Sequence, residues 1–158
     1  LIWTRKGYFE YKFPLAIEEK ATIREIQISL EVCSEAPNYD HNWPSDLTVW
    51  LNGVEIGTWT SPGDYGDRPG KLNPISWGET TSTQYGILKT WKVSNSKTTI
   101  DDVHLSDVTI NDLGVANNNF LSFKIGIKDD AIHKGGFNLF GKEFGDHPQD
   151  IKLNIAFE

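Results

Sequence analysis

The residues of this 158-residue chain that could do chemistry are few and scattered. His41, His104, His133 and His147 stand at no spacing that would let two of them, or one with Cys33, close on a zinc ion. No Gly-x-Ser-x-Gly elbow offers a nucleophilic serine, and no phosphate loop or dinucleotide fingerprint occurs. Adjacent carboxylates such as Asp101-Asp102 and Asp129-Asp130 read as solvated turns. Two distant carboxylates could still meet as a glycosidase pair, which spacing alone does not decide. Asn38, Asp40, Asn42 and Asp46, and separately Asp64 and Asp67, carry the hard oxygens calcium takes. They lack the Gly and terminal Glu of an EF-hand loop and read first as turn-forming residues. The expectation is a binding protein, not an enzyme, with no catalytic residues, metal or cofactor.

The aromatic residues make the stronger pattern. Trp43, Tyr65, Trp77 and Tyr85 lie in segments rich in Gly, Pro, Asn and Asp rather than in alternating strands. Loop rings beside polar side chains suit a sugar, which offers an apolar C–H face and a rim of hydroxyls. Asp46, Asp64, Arg68 and Gln84 are the candidate polar partners. The competing structural role is that the rings plug the open ends of a sandwich.

The elements that must position these residues are strands. Ile26, Ile28, Leu30 and Val32 alternate with Gln27, Ser29, Glu31 and Cys33, which puts four apolar side chains on one face. Leu121, Phe123, Ile125 and Ile127 repeat the pattern, as do Ile151, Leu153, Ile155 and Phe157. Residues 8–13, 86–93, 98–100, 108–110 and 137–140 are further strand candidates. Between 47–51 and 54–59, Asn52-Gly53 predicts a type I′ hairpin, whose central residues both need positive φ. A two-residue loop then sets Leu51 opposite Val54, Val49 opposite Ile56 and Leu47 opposite Thr58. It leaves Trp50 and Trp59 together on the other face, a surface on which two copies could pair. Helical periodicity is tolerable only between Ile100 and Leu113. The sum is one all-β domain over residues 1–158, an antiparallel sandwich or jelly roll of about nine or ten strands. The segment 60–85 is long for a structureless loop, and such loops tend to carry function.

Composition narrows the partners. Fifteen basic and 22 acidic residues give a net charge of −7, a poor match for nucleic acid or anionic lipid. No apolar run approaches the roughly 18 residues of a membrane helix. The lone Cys33, within an alternating run, reads as a buried reduced thiol. The chain starts at Leu1 and has no Met, so it reads as a domain excised from a longer protein.

Residues 42–66 (Asn42-Trp43-Pro44-Ser45-Asp46 through Thr58-Trp59 to Asp64-Tyr65-Gly66) resemble a known family. So do Gln84-Tyr85-Gly86-Ile87-Leu88-Lys89-Thr90-Trp91 and Gly136-Phe137-Asn138-Leu139-Phe140-Gly141. The likeness is to the C-terminal domain of ArsR-type winged-helix transcriptional regulators of Gram-positive bacteria, over nearly the whole chain. It implies a cytoplasmic regulator whose DNA-binding helices lie upstream. This domain would then sense a small effector such as a sugar, or form a homodimer, and would meet DNA only through the upstream part. The hairpin 47–59 also resembles those of jelly-roll carbohydrate-binding modules, so a module of a glycoside hydrolase is a further expectation.

Overall fold

The computed structural model describes residues 1–18, 20–78 and 82–158. The alternating runs form two antiparallel sheets packed face to face. One sheet runs β2 (Gly7–Pro14), β9 (Phe120–Ile127), β4 (Ser45–Leu51) and β5 (Val54–Ser61), side by side in that order. The other runs β1 (Ile2–Thr4), β10 (Phe137–Leu139), β3 (Ile23–Cys33), β6 (Ile87–Ser94), β7 (Thr98–Ile100) and β8 (Val103–Ser106). In that sheet β11 (Lys152–Phe157) shares with β10 the edge of β3 opposite β6. The chain changes sheet repeatedly, so the core is closed by residues far apart in sequence. Ile26, Ile28, Leu30, Val32, Trp91 and Val93 from one sheet meet Leu47, Val49, Leu51, Ile56, Leu121, Phe123 and Ile125 from the other, all with almost no exposure. No helix among the described residues is long and apolar enough to cross a membrane.

The architecture is the expected antiparallel sandwich, with differences at three places. The described residues contain 11 strands rather than nine or ten. The additional one, β1, is three residues long and too short to show alternation. Residues 108–110 are not a strand. The strand in that region, β8, ends at Ser106, and the chain turns through α1 (Ile110–Leu113), inside the stretch where a turn was tolerable. Asp112 accepts the N–H and hydroxyl of Thr109, and Gly114 closes the turn in a left-handed conformation, which accounts for the helix.

The third difference is register. Asn52 and Gly53 have φ of 49° and 78°, as a type I′ turn requires, and Leu51 faces Val54. A β-bulge then adds a residue to β5, so Val49 faces Gly57 and Leu47 faces Trp59, instead of Ile56 and Thr58. The shift separates the two tryptophans. Trp59 turns inward against the core, with Lys89 of the opposite sheet over its ring. Trp50 stays on the outer face beneath Lys124, while Thr48 and Thr58 join hydroxyls there at 2.7 Å. The shared Trp50–Trp59 surface expected from the sequence does not form.

The two flanks of the sandwich differ. On one, β8 closes over β5: Ser106 donates its hydroxyl to Ile56 O, and Leu105 fills the space over Gly57. On the other, β1 and β2 stand apart. Leu1, Ile2, Phe9, Tyr11, Phe13, Leu139 and Phe140 line much of a groove of about 460 Å³ between them.

Candidate functional site

At the end of the sandwich where β3 stops and β6 starts, three loop regions gather: 34–44, 62–78 with 82–86, and 140–150. Buried polar side chains on the sheet fix their courses. Glu31 was expected on the polar face of β3, yet it has no exposure, because the 140–150 loop folds over it. Its carboxylate accepts N–H bonds from Gly86 (2.8 Å), Asp146 (2.9 Å) and His147 (2.8 Å). A buried carboxylate is tolerable only with such donors around it. Gly145 completes this anchor with φ +95°, and a Cβ there would lie 2.5 Å from Glu31 Oε1.

Asp64 and Gln84 play the same part in the loops themselves. Asp64 is buried and accepts from Ala36 N–H and from the Thr83 hydroxyl, each at 2.9 Å. Burial pushes its carboxyl above the usual range against these bonds. The buried Gln84 carbonyl accepts from Asn73 Nδ2 at 2.8 Å and from Gly70 N–H at 3.3 Å. Asn138 of β10 ties the first loop to the sheet, donating to Ser34 O and Glu35 Oε2 at 2.7 Å, and reaches the Thr83 hydroxyl of the second loop at 3.4 Å. Cys33 is buried beneath, and desolvation raises its thiol well above the ordinary value.

On this scaffold stands a cluster of rings and charges. Tyr65 and Tyr85 pair as an isolated bridge and stack at 5.4 Å, with their planes 17° apart. The Arg68 guanidinium lies 3.8 Å from the Tyr85 ring centre and grips Asp146 with two bonds, of 3.0 and 2.6 Å. That hydrogen bonding, from Arg68 first and with Lys71 N–H adding to it, holds the Asp146 carboxyl below its usual range. Tyr85 donates its hydroxyl to Asp67 at 2.6 Å, and His41 meets the same carboxylate at 3.2 Å. Burial, then the bond to Asp67, pushes the Tyr85 phenol up to about 12. The ring of His41 in turn lies 5.3 Å from that of Tyr65.

Trp77 adjoins this cluster through both neighbouring segments. Its indole N–H donates to Thr83 O, two residues before Tyr85. Its ring meets Phe144, two residues before Asp146, edge to face at 4.9 Å. With the edges so fixed, 40% of Trp77 remains exposed.

Tyr65, Arg68 and Tyr85 therefore form one cluster, which Trp77 adjoins through Thr83 and Phe144, and Asp64 and Gln84 hold the segments that carry it. Trp43 and Asp46 make their contacts elsewhere. Trp43, 37% exposed, lies against Gly135, while Asp46 accepts from the Thr60 hydroxyl and the His133 N–H. The bond from His133 helps to hold Asp46 below the usual carboxylate range. Sequence reasoning overlooked His41, Phe144 and Asp146. The Arg68–Asp146 pair spans 78 residues, so no local pattern could have announced it. Asp40 accepts Asn42 N–H at 2.8 Å, the short-range bond of an Asx turn. Among the described residues no group of three or more His, Cys, Asp or Glu is placed to hold a metal ion.

Comparison with protein-family models, curated proteins and solved structures gave no match.

Proposed function

We propose that this domain is a binding module that takes a small polar ligand, a sugar, on the surface formed by Trp77, Tyr65, Arg68 and Tyr85. The observation that carries this reading is the fixed but open Trp77 ring. A side chain whose N–H and edge are already bonded loses little freedom on binding, so its apolar face is preorganised for a sugar's C–H face. Arg68, Asp67 and the Tyr85 hydroxyl supply charged and polar groups alongside, as sugar hydroxyls need. Tyr85 itself is engaged by Tyr65 and Arg68, so it acts as wall rather than stacking platform. In the wider reading, the domain is the effector-sensing part of a cytoplasmic transcriptional regulator, which the resemblance of residues 42–66 supports.

The test is a titration of the protein with a panel of mono- and oligosaccharides, read by tryptophan fluorescence. At least one sugar is expected to change the emission saturably. Trp77→Ala should weaken that response about five- to thirtyfold, the loss of one stacked ring being worth about 1–2 kcal/mol. A panel without effect, or a Trp77→Ala protein that binds equally well, overturns the proposal.

A further inference from the structure

The open flank carries a second surface, unrelated to the aromatic loops. β2 is eight residues long, has no bulge, and among the described residues pairs on one side only, with β9. Which of its backbone groups point outward follows from the ladder. Leu15 continues the pairing by donating its N–H to Asn119 O at 2.8 Å. Hydrogen-bonded residues alternate along an antiparallel strand, so Phe13, Tyr11 and Phe9 turn their backbone toward β9. The far side of β9 agrees: Asn52 N–H bonds Ser122 O, so the even-numbered residues of β9 serve β4. Tyr8, Glu10 and Lys12 therefore present their N–H and C=O groups at the edge, with no strand among the described residues beside them. Such an edge is a template for another strand unless it is covered, as β8 covers β5 on the opposite flank.

The side chains of β2 are arranged as a chemical palindrome about Tyr11. Reading outward, Glu10 mirrors Lys12 with the opposite charge and Phe9 mirrors Phe13; the symmetry ends at Tyr8 and at Pro14, which has no N–H to donate. We infer that β2 is a homodimer contact, pairing antiparallel with β2 of a second copy about a twofold axis at Tyr11. In that register Glu10 exchanges both backbone bonds with Lys12 of the second copy, and their side chains form ion pairs on the outer face. Tyr11 meets its own counterpart on the inner face, with Phe9 opposite Phe13 on either side. Lysine on a strand edge ordinarily discourages pairing. Here each lysine faces a glutamate in one register alone, so the charges select the register. The twofold arrangement uses each edge once and closes at two copies. It also covers aromatic surface left open in the single chain, where Tyr8 is 65% and Tyr11 48% exposed, and it walls the groove between β1 and β2.

Sedimentation velocity over a concentration series tests the pairing, with circular dichroism confirming the fold of each variant. The wild-type chain is expected to form dimers reversibly. Glu10→Lys and Lys12→Glu each set like charges opposite one another and should weaken the dimer about tenfold. The double exchange, Glu10→Lys with Lys12→Glu, restores opposite charges across the axis and should recover wild-type association. Under mild oxidation Tyr11→Cys should give a disulfide-linked dimer, because directly opposed residues of a non-hydrogen-bonded pair lie within disulfide reach. A wild-type chain that stays monomeric at millimolar concentration overturns the inference. So do single exchanges without effect, or a double exchange that fails to recover.

Discussion

Removing the Glu31 carboxylate would leave the N–H groups of Gly86, Asp146 and His147 without their acceptor. A buried donor stripped of its partner costs about 1–3 kcal/mol. Glu31→Ala is therefore expected to lower stability by about 3 kcal/mol in urea denaturation and to loosen the loops that hold Trp77. A loss below about 0.5 kcal/mol would show that the anchor is dispensable. Asp146 makes the site sensitive to acid. Its folded carboxyl titrates below the ordinary value of about 4, so its contribution is present above that pH. That contribution is lost as pH falls through the depressed value. Asp64, raised by burial, works in the other direction, its contribution weakening as pH rises above its ordinary value. The gap in stability between the wild type and Asp146→Asn is expected to be widest near neutrality and to close below about pH 4. A gap independent of pH would contradict the Arg68–Asp146 assignment. At this scale the sequence was least legible. Glu31 sits in a clean alternation that reads as solvent-facing, and only a loop more than a hundred residues later buries it.

At the scale of elements, Gly57 decides how β5 lies. Its φ is +140°, and a Cβ would come 2.4 Å from Leu105 Cγ, so any side chain must push the Leu105 side chain aside as well as strain the backbone. Gly57→Ala is expected to cost about 2 kcal/mol, measured as a shifted urea midpoint. A neutral substitution would mean that β8 does not seal this flank. The elements themselves were largely readable. Alternation located β3, β9 and β11, because a strand with one buried face must repeat every second residue. Asn52-Gly53 gave the hairpin for a local steric reason. The bulge beyond it was missed, although an isolated glycine inside a strand pattern was a signal for one. That single extra residue sends Trp59 to the core and leaves Trp50 outside, which sequence pairing had put together.

The molecule as a whole separates its tasks in space. One flank is sealed by β8, the opposite flank offers the β2 edge, and one end carries the aromatic loops. Only the existence of those loops was visible beforehand, as rings among turn residues. Their convergence depends on buried bonds between segments remote in sequence. The central claim, a ligand surface centred on Trp77, is tested most directly by amide and indole chemical-shift mapping during the saccharide titration. The account predicts saturable shifts of the Trp77 indole N–H and of the Tyr65, Arg68 and Tyr85 amides, with Phe9 and Tyr11 unmoved. The absence of any shift across the panel, or shifts confined to the groove between β1 and β2, would contradict it.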